Sequence, residues 1–163
     1  MSPRKKIVII MGSGADRTHC GKISGFLERA GIECVTRVAS AHKAPHKVLE
    51  IITGYEKDCG VFITVAGRSN ALSGFVDANT VRPVIACPPY GESFSGADIF
   101  STLRMPSGVA PLVVLEPEAA ALAAIKLLSV CDPGLEETIR AYHAAKREEI
   151  EDSDREVMED GKR

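Results

Sequence analysis

Unbroken apolar runs, not alternating ones, mark this chain. Residues 6–11 read KIVIIM, and from Ile7 onward every position of that run is apolar. Such a run predicts a strand buried on both faces, as in a parallel sheet. VFITVA at 61–66 and PVIAC at 83–87 repeat the signature, and IECVTRV at 32–38 and PLVVLE at 111–116 predict a second and a fifth strand. Between the strands the spacing turns helical. Cys20, Ile23, Phe26, Leu27 and Ala30 recur at helix intervals over 17–30, with Asp16 as N-cap and Gly31 as terminator. Pro45 sits in the first turn of a second helix, where its missing N–H costs nothing, and Val48, Leu49, Ile51 and Ile52 form the apolar face. Residues 70–80 predict a third helix, and PEAAALAAIKLLS predicts an Ala-rich one of high propensity.

Strand and helix in strict alternation predict an α/β fold. It is a three-layer sandwich on a doubly wound parallel sheet, flavodoxin- or Rossmann-like, with right-handed crossovers. The loops GSGAD, SAHKA, GRSN and CPP all fall at carboxyl ends of strands, the edge where such sheets bind ligands. Residues 133–160 differ: they are charged and helical, with a thin apolar stripe of Leu135, Ile139, Tyr142 and Ile150. That stripe is too narrow for a core element and predicts a helix lying across the domain or packing on a neighbouring subunit. We therefore expect a single domain over 1–163, with a core of about 5–130 and a helical extension of about 133–160.

Composition narrows the partners. With 163 residues, 45% of them hydrophobic, the chain can bury one sizeable core. A net charge of -2 and the lack of a basic stripe argue against nucleic acid. No run is long enough to span a membrane, and the short apolar run after the basic residues 4–6 reads as a first strand rather than a signal peptide. The five cysteines are scattered without a CxxC pair, so neither a zinc site nor a disulfide framework is signalled, and a reducing, cytoplasmic setting is expected.

The candidate chemistry lies in the loops. GSGAD does not complete a dinucleotide fingerprint, because Arg17 stands where GxGxxG needs glycine and the second strand ends without an acidic residue. What it offers is a small-residue turn at a helix start, where backbone N–H groups can face an anion. His42 and His46 are four apart, but Pro45 separates them and no third ligand is near, so no metal is expected. His42 is flanked by the small Ser40 and Ala41, which leaves room beside the imidazole for a reacting group; general base and plain loop residue both remain open on this motif alone. Gly67 allows close backbone approach, and Arg68 and Ser69 offer donors to an anion. His19 and His143 lie among polar residues and are expected at the surface.

Taken together, VIIMGSGADRTHCGKI, SAHKAP, AGRSNALSG, PVIACPP and LRMPSGVAPLVVLEPEAAALAA resemble the phosphoribosylaminoimidazole carboxylase family over residues 7 to 130. Class I of that family reads SAHRTP and AGGAAHLPG. Here Lys43 replaces the arginine and Ala71 the second histidine, which resembles class II, the members that use CO2 directly. Ala15 also stands where class I commonly has a serine. The resemblance implies carboxylation of 5-aminoimidazole ribonucleotide by CO2 in purine biosynthesis, without ATP, cofactor or metal. It implies His42 as the general acid/base. Gly12, Ser13, Asp16, Ser40, Ala41, Lys43, Gly67, Arg68 and Ser69 are the implied substrate contacts, with Ser40, Lys43 and Ser69 on the phosphate and Asp16 on the ribose. It further implies a homo-octamer. Two alternatives stand beside it: a class I mutase acting on the carbamate isomer, and a nucleotide-phosphate sensor without turnover.

Overall fold

The computed structural model describes residues 5–161. Five parallel strands, β1 (Lys6–Met11), β2 (Cys34–Val38), β3 (Cys59–Val65), β4 (Val84–Ala86) and β5 (Leu112–Val113), form one sheet in the order β2-β1-β3-β4-β5. Six helices accompany them: α1 (Arg17–Arg29), α2 (Pro45–Tyr55), α3 (Ala71–Asp77), α4 (Phe100–Leu103), α5 (Pro117–Ser129) and α6 (Glu136–Asp160).

The pleat explains the unbroken apolar runs. Ile7, Ile9 and Met11 point into one buried cluster with Val61, Ile63, Val65, α1 and α5. Val8 and Ile10 point into the other, with Phe62, α2 and α3. A strand covered on both faces has no polar face, so the alternation of a half-exposed strand is lost. The central pairings set β1 and β3 in step, from Ile7 opposite Val61 to Met11 opposite Val65. Gly12 N–H then donates to Val65 O at 2.8 Å, Ala39 N–H to Met11 O at 2.9 Å, and Cys87 N–H to Thr64 O at 2.8 Å. Four strands thus end near one line, and the loops that follow them open on a common crevice. The chain leaves β1 toward β2 and returns across it to β3, so the winding reverses between β1 and β3, the point where doubly wound sheets hold ligands.

Three regions depart from the sequence expectations. The fifth strand pairs only over Leu112–Val113, against Ile85 and Ala86, because it lies at the sheet edge with a partner on one side alone. Helix α3 is shorter than 70–80: Asn70 caps it, its side chain accepting the Ser73 N–H. Between β4 and β5 stand two 3-10 turns, Glu92–Phe94 and Ala97–Ile99, followed by α4, none of which the spacing predicts.

The stripe on α6 is divided. Leu135 is buried just before the helix, and Ile139 and Tyr142 pack on the chain's own core cluster. Tyr142 meets Phe26 of α1 edge-on, with ring centroids 5.1 Å apart. Ile150 is 72% exposed, and every described residue after it is exposed too. None of the described helices is long and apolar enough to cross a membrane.

Candidate active site

Four loops enclose a cavity of about 410 Å³ at the carboxyl edge of the sheet, within the usual range for small-molecule sites. The β1–α1 loop contributes Gly12, Ser13, Ala15 and Asp16. It is a 3-10 turn, Gly14–Asp16, in which Ser13 Oγ accepts the Ala15 N–H at 3.2 Å and lies 3.2 Å from Asp16 Oδ2. Asp16 occupies the N-cap position of α1 but makes no side-chain capping bond, so its carboxylate is turned to the cavity and to Ser13. Gly12 has a packing reason as well: a Cβ there would stand 3.3 Å from Ala66 Cβ, and the floor would close.

The β2–α2 loop contributes Ser40, His42 and Lys43. Ser40 organises that turn, its oxygen accepting from Ala44 N–H at 2.8 Å and its hydroxyl from Lys43 N–H at 3.3 Å. His42 is solvent-exposed in the turn before α2, while His46 lies within α2 and off the cavity. Ala41 is the one predicted contact that does not line the cavity; it packs against the cluster under α2.

Ala66, Gly67, Arg68, Ser69 and Leu72 form the third side. Arg68 is left-handed, φ 60°, an unusual conformation for a residue with a side chain. The fourth side is Pro89, Tyr90, Gly91, Ser93, Phe94 and Asp98, a wall of which the sequence reasoning reached only the CPP loop and missed the residues after Pro89. Its signal was available: GESFSGADIF follows a buried strand and carries glycines at 91 and 96 with an acid at 98. Tyr90 is 72% exposed and Phe94 49%, so the rim on this side is apolar and open.

His19 is not a free surface residue. It is half-buried, with Nε2 3.4 Å from Cys87 Sγ. Desolvation lowers its pKa below the ordinary 6.5, opposed in part by hydrogen bonding to the Cys87 backbone. Burial pushes the thiols of Cys20, Cys59 and Cys87 up to about 12, so they stay protonated near neutral pH. All five cysteines are free. Among the described residues no group of three or more His, Cys, Asp or Glu side chains could hold a metal ion.

A doubly wound parallel sheet with a polar, glycine-lined crevice at its winding reversal defines a small-molecule enzyme of the flavodoxin-like class. The AIR carboxylase family matches residues 6–149, and the chain belongs to that family. Its curated relatives include the phosphoribosylaminoimidazole carboxylase of Archaeoglobus fulgidus, 59% identical over 93% of this chain and 84% of that protein. That of Treponema denticola is 44% identical over 93% of this chain and 96% of its own length. The bifunctional carboxylase/succinocarboxamide synthetase of Mus musculus is 42% identical, over 77% of this chain but only 30% of that longer protein. The crystal structure of Treponema denticola PurE superposes with a TM-score of 0.91 at 43% identity, covering 94% of this chain and 99% of the other. The chain is accordingly an enzyme, a carboxylase acting on aminoimidazole ribonucleotide.

Proposed function

We propose that this chain carboxylates 5-aminoimidazole ribonucleotide with CO2 directly, without ATP, and that His42 moves the proton. The observation that carries the reading is the cavity itself: an imidazole on one side, small residues at the floor and hydrogen-bonding groups around the rim. The substrate ring is an electron-rich enamine. Its carbon 4 attacks CO2, a carbon–carbon bond forms, and one C=O electron pair becomes the carboxylate charge. Carbon 4 is then tetrahedral and bears both hydrogen and carboxylate. His42 takes that hydrogen as a proton, and the C–H electron pair returns to the ring and restores aromaticity. In the reverse direction the imidazolium gives the proton back. An imidazole suits both directions because it titrates near neutral pH.

The rest of the cavity binds and orients. Ser40, Lys43 and Ser69 take the phosphate, with Arg68 beside them. Asp16 accepts from the ribose hydroxyls, and Gly12, Ser13 and Gly67 let the base lie close to the backbone. Fixing CO2 beside carbon 4 turns an encounter of two small molecules into a local step. Lys43 in SAHKAP and Ala71 in AGRSNALSG favour CO2 over the carbamate isomer as the carboxyl source. The setting we propose is cytoplasmic, and the assembly a homo-octamer in which the exposed part of α6, with Ile150, Val157 and Met158, lies on a neighbouring subunit.

Replacing His42 by Asn tests the assignment. The variant should fold and bind the ribonucleotide normally while losing at least ~10²-fold in turnover, the usual scale of a general base. Near-normal turnover would show that another group takes the proton. Binding without turnover in the wild-type protein would favour the sensor reading instead.

A further inference from the structure

We propose that Asp98 is a positioning residue of this site: its carboxylate holds the backbone of the β3–α3 loop so that Arg68 and Ser69 face the phosphate end of the cavity. The proposal rests on reading the cavity as the ribonucleotide site.

Asp98 places a negative charge in the same cavity as Lys43 and Arg68, where an anion is to bind. Its contacts supply the reason. Asp98 Oδ2 accepts the Arg68 backbone N–H at 2.8 Å. Arg68 is one of only two non-glycine residues with positive φ among the described residues, at φ 60°. A side-chain-bearing residue adopts that conformation at a cost, and keeps it only when its surroundings impose it. A carboxylate makes a stronger acceptor for the imposing bond than a neutral group does. With its N–H directed to Asp98, Arg68 cannot offer that donor to a ligand, which leaves its guanidinium and the Ser69 groups for the cavity.

The same short stretch grips the loop at two more points. Ser101, one turn after Asp98, has its hydroxyl 3.1 Å from Arg68 O and 3.0 Å from the Asn70 N–H that donates to it. Asn70 Nδ2 donates to Thr102 Oγ1 at 3.0 Å. Gly91 makes room for the carboxylate: a Cβ there would meet Asp98 Oδ2 at 2.5 Å. Asp98 therefore sits where the loops after β3 and β4 converge, and acts through the loop rather than on the reacting atoms.

Three variants test this: Asp98→Ala removes the acceptor, Asp98→Asn keeps an oxygen acceptor without the charge, and Gly91→Ala crowds the carboxylate without removing it. Steady-state kinetics with aminoimidazole ribonucleotide, calorimetric binding of the same ligand and thermal unfolding are measured for each. Asp98→Ala should raise KM and Kd together by about tenfold, roughly 1.4 kcal/mol, with kcat within about threefold of wild type. Asp98→Asn should recover most of that loss, and Gly91→Ala should raise KM in the same direction. A purely structural role would lower the melting temperature and the active fraction while leaving KM unchanged. Unchanged KM in Asp98→Ala, or an Asp98→Asn as impaired as Asp98→Ala, overturns the proposal. If Asp98→Ala does not fold, an unchanged KM in Gly91→Ala overturns it. Wild-type protein without turnover sinks the reading of the cavity and this proposal with it; wild-type turnover with unaltered variants sinks this proposal alone.

Discussion

Asn70→Ala should be among the costliest single changes outside the apolar core. Asn70 is 4% exposed and joins three groups. Its Oδ1 accepts the Ser73 N–H at 3.2 Å, which caps α3, and the Ser73 hydroxyl at 2.9 Å. Its Nδ2 donates to Thr102 Oγ1 at 3.0 Å. Alanine removes the cap, worth about 1 kcal/mol. It also strands the hydroxyl of Thr102, a residue only 1% exposed, and an unsatisfied buried polar group costs about 1–3 kcal/mol. Ser73 Oγ is spared, because Thr64 Oγ1 remains 2.8 Å away. The sum is about 3 kcal/mol, or roughly 6–12 °C in melting temperature for a domain of this size. Urea unfolding at one fixed protein concentration measures it, since assembly would otherwise shift the midpoint. The double variant with Thr102→Val should cost less than the two singles added, because the second change removes the hydroxyl that the first one strands. A loss under about 1 kcal/mol for Asn70→Ala, or strict additivity in the double variant, would refute the reasoning.

Two further outcomes follow from burial. Under native conditions at pH 8, a thiol reagent should label the exposed Cys131 first, while Cys20, Cys59 and Cys87, held protonated with thiols at about 12, should react only on unfolding; mass spectrometry of the labelled peptides reads this, and fast labelling of Cys87 would contradict it. For His19, desolvation makes the folded chain a weaker proton acceptor than the unfolded one, so stability rises with pH through the window below 6.5 and is lost on acidification. Replacing His19 by Gln should therefore flatten the acid side of a melting-temperature profile between pH 5 and about 6.5, and an unchanged slope would rule the group out.

Much of this was legible in the chain, for a physical reason. Buried strands such as KIVIIM carry no polar face, so they announce themselves, and their order places every following loop at one edge. That pattern places the loops at one edge; the family resemblance singled out Gly12, Ser13, Asp16, Ser40, His42, Lys43, Gly67, Arg68 and Ser69 within them, and all of these line the cavity. The fourth wall beyond Pro89 was hidden because 3-10 turns have no sustained hydrophobic period. Asp98 was hidden for a second reason: it grips a backbone N–H thirty residues earlier in the chain, a tertiary contact that leaves no local mark. His19 misled in the opposite way. Its polar neighbours Arg17, Thr18 and Lys22 suggested solvent, yet the ring turns toward Cys87 after β4. Ala41, next to His42 in sequence, packs against the second core cluster instead of lining the cavity.

The central claim is that the imidazole of His42 lets this cavity fix free CO2 on carbon 4. Its most direct measurement is a rapid-mixing experiment with the intact protein, aminoimidazole ribonucleotide and isotopically labelled CO2, without ATP, quenched before CO2 and bicarbonate equilibrate. Label should enter the product from the start in the wild-type protein and remain undetectable in His42→Asn. Label that enters only after a lag set by bicarbonate or carbamate formation, or that enters equally in both proteins, would contradict the account.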